Sequence, residues 1–257
     1  MIPELSSAFP AGLEHHAQSV SLIDNGRPSV PGRCFLERDT LSTALLRLRP
    51  RYPRASVPVL AVLWAKMYGF RIIAASLPPA LLLDWQLPVA LDEASMALDP
   101  EDGCAACLHI PHVGSRASSA DPFERLQGSI RHHLDPVLEA VSLHMKAPIT
   151  ALRGDAAVNF HHIASEVTQA AARAGRPLGC DVGRLSTAKT WPDGKANTLH
   201  APFLPRESCS GHKTRRTCCL HYRASEDGSF CATCPVAEKH LRMSHRMSHL
   251  CPEGLKR

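Results

Sequence analysis

Aromatic residues are scarce in this 257-residue chain: Trp, Tyr and Phe together make up 5%. In its most basic part, positions 206–257, only Tyr222 and Phe230 are available for stacking on bases. That disfavours single-strand recognition, and no nucleic-acid partner is expected. Long apolar runs are missing as well. Nothing reaches the ~18 consecutive apolar residues of a membrane-spanning helix, and the nearest stretch, 57–85, is broken by Lys66, Arg71, Pro78, Pro79 and Asp84. The opening residues, MIPELSSAFPAGLEHH, have neither the basic n-region nor the apolar h-region of a secretory leader. These absences lead to the expectation of a cytoplasmic protein whose contact with the inner membrane is at most peripheral.

What is present fits a folded chain. Apolar residues account for 44% and charged residues for 21%, and a chain of this length buries ~75% of the surface it exposes when unfolded. Proline is abundant, at 21 residues, so helices should be short and connections many. There are 10 cysteines, and in a cytosolic chain these include metal ligands or redox groups more readily than a disulfide framework. The net charge of +5 is uneven. Residues 206–257 hold ten Lys and Arg against five Asp and Glu, together with six of the cysteines, while residues 1–205 are balanced.

Periodicity gives the elements. Residues 1–36 show no sustained period and read as a loosely held arm. Asp39-Thr40 caps a short helix through Arg49, which Pro50 and Pro53 stop. Ser56 followed by Val57-Pro58 opens an apolar helix over 57–75, and Pro78-Pro79 starts another short one. The stretches 89–99 and 104–113, joined by Asp-Pro-Glu-Asp-Gly, form a hairpin. Asp121-Pro122-Phe123-Glu124 begins a helix that Asp135-Pro136 restarts or kinks, and a third helix covers 148–174 with Gly175 as its C-cap. Over 176–213 periodicity disappears.

The chemistry lies beyond that gap. Cys218 and Cys219 are adjacent; after eleven residues come Cys231 and Cys234, a C-x-x-C knuckle. Four thiolates converge if the chain reverses, and Ser225-Glu226-Asp227 and Gly228 are reversal residues. The first competitor is zinc, which ordinarily takes two C-x-x-C-like knuckles. Here one pair is vicinal, its side chains expected to point apart, which suits a wider centre with two metals. Arg215 and Arg216 would offset the negative charge of such a centre, and His221 sits beside it as a surface histidine.

The run RRTCCLHYRASEDGSFCATCP resembles the C-terminal signature of the FhuF-like ferric siderophore reductases. A weaker resemblance extends over 40–240, through the helix with Trp64 and Tyr68, the LRGDAAVNF stretch and Thr190-Trp191. The resemblance implies a 2Fe-2S cluster held by Cys218, Cys219, Cys231 and Cys234. It implies one-electron reduction of a ferric siderophore, with release of Fe(II), and an electron donor such as a ferredoxin or a flavin reductase. No general acid, base or nucleophile is needed beyond the cluster.

The fold class expected is α+β: a mainly helical domain with a small β-hairpin and a C-terminal iron-sulfur-binding loop. The organisation expected is an arm at 1–36, a siderophore-reductase-like domain at 37–205 and a basic cluster-binding segment at 206–257. The alternatives are a zinc-stabilised binding module without redox activity and a redox-inert ferric-chelate carrier.

Other groups remain open on sequence grounds. Cys104, Cys107, His109 and His112 have a zinc-like spacing, crowded onto a strand where the two cysteines face opposite sides. Cys34, Cys180, Cys209 and Cys251 are isolated. His245 and His249 share a face of a C-terminal helix. Trp64, Tyr68 and Trp191 belong to the core rather than to a chelate pocket.

Overall fold

The computed structural model describes residues 2–22, 29–207 and 213–248, with the side chains of 206–207 and 242–248 outside that description. Its helices are α1 (Arg38–Leu48), α2 (Val57–Leu82), α3 (Pro122–Ser129), α4 (Asp135–Met145), α5 (Ile149–Arg173), α6 (Gly183–Thr187) and α7 (Pro235–Ser248). The strands are β1 (Val20–Leu22), β2 (Val30–Pro31), β3 (Trp85–Gln86), β4 (Ser95–Leu98), β5 (Ala105–Ile110), β6 (Ser115–Arg116), β7 (Phe203–Glu207) and β8 (Lys213–Arg215). The expected class is the observed one: mainly helical α+β, with small sheets and a cysteine cluster near the C-terminus.

The core is built around α2, which packs most extensively against α5. By length and composition α2 could cross a membrane, yet most of its side chains lie inside the fold, including Leu60, Trp64, Tyr68, Ile72 and Leu77. Trp64 donates to the Gly103 carbonyl at 3.0 Å. Both Trp64 and Trp191 are core residues, as expected.

Pro78 and Pro79 do not start a new helix; they lie within α2. Each proline removes one donor, but both rings are buried, and the last turn finds its partners elsewhere. Arg125 donates to the Ala80 carbonyl at 2.8 Å, the Gly179 amide to Leu81 at 2.8 Å, and Arg176 to Leu82 at 2.6 Å. Two arginine side chains and one backbone amide from distant segments thus complete a helix end that local sequence leaves open.

The hairpin is β4 antiparallel to β5, in the four-stranded order β1-β5-β4-β2. β1 runs parallel to β5, with Val20 opposite Leu108, and β2 pairs antiparallel with β4. These two pairings correct the reading of residues 1–36 as a loose arm. Ile2, Leu5, Ala8, Phe9, Leu13 and Ala17 are buried. Ile2, Leu5 and Ala8 recur every third residue, the period of the 3₁₀ turn at Pro3–Ala8, and a second 3₁₀ turn covers Glu14–Ser19. His16, buried, bonds Glu166 of α5 at 2.8 Å and ties the segment down.

The helix expected after Asp121 forms, capped by the Asp121 carboxylate accepting from the Phe123 amide at 3.1 Å. Between α3 and α4 the chain widens into a π-helical turn at Ile130–Leu134. Pro136 cannot donate to the His132 carbonyl, which accepts instead from the Leu91 amide at 3.0 Å. The expected restart at Asp135-Pro136 is this turn.

Inside the π turn, His133 is fully buried. Its Nδ1 donates to the Val89 carbonyl at 2.5 Å and its Nε2 accepts from the Tyr68 hydroxyl at 2.7 Å. Burial lowers its pKa to about 4, the Val89 bond acting the other way. Because the unfolded imidazole takes up a proton near pH 6.5 and the folded one does not, this contribution is complete above that pH. It is lost as pH falls towards 4, by about 3 kcal/mol. His133→Gln keeps a donor and an acceptor but cannot titrate. The stability difference between wild type and variant, from urea unfolding at pH 7 and at pH 4.5, should therefore shrink by about 2–3 kcal/mol at the lower pH. A pH-independent difference would show that the buried imidazole is not held neutral.

Candidate metal centre

The cysteine segment is placed by backbone contacts on both sides. β8 pairs antiparallel with β7. The Arg215 amide then donates to the Thr233 carbonyl at 3.0 Å and the Arg216 amide to Pro202 at 2.9 Å. Leu220 takes a left-handed conformation, with φ 59°, and a 3₁₀ turn follows at His221–Arg223. The expected reversal is present: the Gly228 amide reaches the Ser225 carbonyl at 3.3 Å, Gly228 has φ 66°, and Asp227 accepts from the Ser229 amide at 3.0 Å. The Cys234 amide donates to the Cys231 carbonyl at 3.0 Å, and α7 starts at the next residue.

This path brings the thiols together. Cys219 and Cys231 sulfurs are 4.0 Å apart, and the Leu220 amide donates to the Cys218 sulfur at 3.3 Å. Cys219 and Cys234 are buried; Cys218 and Cys231 are half-buried. Hydrogen bonds from the Cys218 and Cys231 thiols pull Cys219 far below the ordinary thiol range, helped by the His221 amide and the Arg215 charge and opposed by burial. Cys218 and Cys231 are pushed up, first by sharing hydrogen with Cys219 and then by burial. Cys219 faces Cys231 across the reversal, and the left-handed Leu220 bends the chain immediately after the vicinal pair. Amide donors on soft thiolates, one sulfur that ionises readily and partial shielding from water suit a cluster of iron and sulfide.

The two arginines have different roles. Arg215 is buried, and its Nη2 forms an ion pair with Asp155 of α5, which is also buried. Burial raises the Asp155 carboxyl to about 6 while Arg215 draws it back. Arg216 is exposed. It lines a cleft of about 310 Å³ with Arg153, Lys189, His200 and Thr217. His200 is held below its ordinary pKa by burial and then by the charges of Arg216 and Lys189.

Sequence reasoning missed Asp155 and its neighbour Gly154. A Cβ on Gly154 would lie 1.7 Å from Thr217 Oγ1, so the glycine is what lets the cysteine segment lie against α5. The available signal was a lone glycine within a helical pattern, which commonly marks close approach.

The remaining candidates separate. Cys104 lies 3.4 Å from the Met67 sulfur, and burial pushes its thiol up to about 12. Cys107 donates to Ser21 at 3.3 Å, and His112 accepts from the Gly114 amide at 3.1 Å. Cys104 and Cys107 thus reach different partners on different sides. Cys34 is half-buried and Cys180 buried. Cys209, Cys251 and His249, and the side chain of His245, lie outside the described residues.

Residues 215–235 match the family model of the FhuF 2Fe-2S C-terminal domain. The resemblance read from RRTCCLHYRASEDGSFCATCP thus holds for those residues, and the cofactor of the segment is a 2Fe-2S cluster. No curated protein matches the chain.

Two outcomes follow from the packing against α5. Ala at an unobstructed helical glycine is stabilising by roughly 0.5–1 kcal/mol, but Gly154→Ala should reverse that sign because the added carbon has no room beside Thr217. We expect a loss of about 1–3 kcal/mol by thermal or urea unfolding, with recovery when Thr217→Gly is added. An unperturbed single variant would exclude the tight contact. Asp155→Ala should cost about 3–5 kcal/mol because it strands the buried Arg215, whereas the double change Asp155→Leu with Arg215→Met should cost less. Additive costs in that cycle would mean that the two side chains are not coupled.

Proposed function

We propose that the protein is a cytoplasmic ferric siderophore reductase and that the thiolates of Cys218, Cys219, Cys231 and Cys234 hold its 2Fe-2S cluster. What supports the reading is the approach of the Cys219 and Cys231 sulfurs within a segment that carries all four cysteines and matches the FhuF 2Fe-2S C-terminal domain. When bound, the cluster supplies a one-electron couple. That couple would take Fe(III) in the chelate to Fe(II) and would be replenished by a one-electron donor of the ferredoxin or flavin class. Hard oxygen donors bind the larger, less charged Fe(II) far less tightly, so reduction amounts to release.

The side chains described above support this chemistry by position rather than by proton transfer. Buried Arg215 and the amides of Leu220 and His221 stabilise negative charge on the sulfurs. Half-buried Cys218 and Cys231 keep one side of the centre near solvent, where a bulky chelate can approach.

Anaerobically purified protein should contain two irons and two acid-labile sulfides per chain, as the composition of a 2Fe-2S centre requires. Serine at Cys218, Cys219, Cys231 or Cys234 should bleach or destabilise the visible spectrum, and serine at Cys104 or Cys107 should leave it intact. The reduced protein, mixed anaerobically with a ferric siderophore, should reoxidise and deliver Fe(II) to a ferrous-specific trap. Stoichiometric zinc without sulfide would return the assignment to a zinc module. A cluster that stays reduced with every ferric chelate, yet reacts with another oxidant, would refute the reductase reading.

A further inference from the structure

Away from the cysteine segment, a set of metal-ligating side chains converges on the body of the protein. The vicinal histidines His15 and His16 lie in the 3₁₀ turn Glu14–Ser19, and Glu166 lies on α5. Each offers one donor atom, and the three atoms are within 4.8 Å of one another. His16 Nε2 and Glu166 Oε2 are already at 2.8 Å. The neighbouring acid, Glu14, is engaged elsewhere and accepts from the Gly12 amide at 2.7 Å.

The approach of two adjacent imidazoles has no local cause. Successive side chains leave a 3₁₀ turn about 120° apart, yet the His15 and His16 ring centroids are separated by 3.9 Å. Both rings are thus gathered towards Glu166. His16 is buried, and its Nδ1 has no hydrogen-bond partner among the described residues. One bond to Glu166 leaves this imidazole half satisfied where water has little access. Beyond the carboxylate, His162 Nε2, one helical turn earlier on α5, lies 3.4 Å from Glu166 Oε1. The carboxylate therefore sits among three imidazoles, and Phe70 packs 5.7 Å from the His16 ring.

We propose that His15, His16 and Glu166 bind a first-row divalent cation of the zinc class, and that the ion clamps the N-terminal segment onto α5. Two imidazoles and one carboxylate are too rich in nitrogen for Ca²⁺ or Mg²⁺, which take oxygen, and lack the thiolates that favour a cluster. A tetrahedral ion with bonds of about 2.0–2.2 Å holds its donors about 3.3 Å apart, within the span found here. His15 is exposed and Glu166 half-buried, so the ion enters from solvent and water fills its fourth position. His162 steadies the other carboxylate oxygen, as outer partners of metal ligands do. The consequence is mechanical. The turn runs straight into β1, the edge strand paired with β5, so the ion fastens turn and strand together to α5.

Zinc provides the probe. Cluster-loaded protein should take up one Zn²⁺ per chain in a calorimetric titration, and excess Ca²⁺ or Mg²⁺ should not displace it. His15→Ala and Glu166→Gln should each weaken uptake by roughly tenfold or more. His132→Ala, at an exposed histidine of the π turn, should change it less than twofold. Zinc at about a hundredfold excess over Kd should raise the wild-type Tm by about 5–10 °C and leave that of His15→Ala unmoved. X-ray absorption at the zinc edge separates this site from the cysteines. Nitrogen and oxygen neighbours at about 2.0–2.2 Å are expected, without sulfur at about 2.3 Å.

Sulfur neighbours, or uptake unchanged in both variants, would place the ion elsewhere and reject the site. Absence of saturable zinc uptake by wild type would reject it too. Uptake that follows the variants while the Tm stays fixed would reject the clamp. The visible spectrum of the cluster checks that each variant folds; His15 is exposed and Glu166→Gln keeps the shape of the side chain, so both should retain it. None of these readouts uses ferric-chelate reduction, so the outcome is independent of the reductase reading.

Discussion

A guanidinium buried against a carboxylate joins the two ends of this structure. Arg215 comes from the strand that enters the cysteine segment, and Asp155 from α5, the helix that packs most extensively on α2. The cysteine segment has little apolar surface of its own; Leu220 and Ala224 are its residues packed into or against the core. Its position therefore depends on a polar contact made in a nearly water-free place. An ion pair of this kind adds little net stability compared with an apolar pair of similar volume, yet it is costly to break from one side. It sets register more than it adds strength, and the adjoining Gly154–Thr217 contact sets the spacing.

Much of the architecture was legible because its cues are local. The capping Asp121, the helix start at Ser56, the glycine stop at Gly175 and the hairpin turn each depend on a few neighbouring residues, and all four occur where local physical chemistry places them. The misread elements are those whose partners are remote. Pro78 and Pro79 look like a break until Arg125 and Arg176 arrive from later in the chain. The first 22 residues look unstructured because 3₁₀ turns carry a period of three, which resembles neither helix nor strand.

The site divides in the same way. The cysteines announce themselves by spacing, since metal ligands must be near one another and short loops are the usual means. Asp155, Lys189 and His200 carry no such signature; each is an ordinary polar residue until folding sets it beside the segment that begins near 213. The charge asymmetry of the sequence was informative but incomplete. Of two neighbouring arginines in the basic tail, one is neutralised inside the protein, and the exposed field comes partly from residues of the balanced region, Arg153 and Lys189.

The enclosure of Cys219 and Cys234 bears on how the protein is made. Both residues are buried, and α7 begins directly after Cys234. On the proposed ligand set, Cys219 and Cys234 are the two thiols that folding encloses, while Cys218 and Cys231 stay half-buried. Loading a cluster and closing the C-terminal elements over those two thiols would therefore be coupled events. The body built on α2 and α5 can form first and wait, because its core contacts include none of the four cysteines.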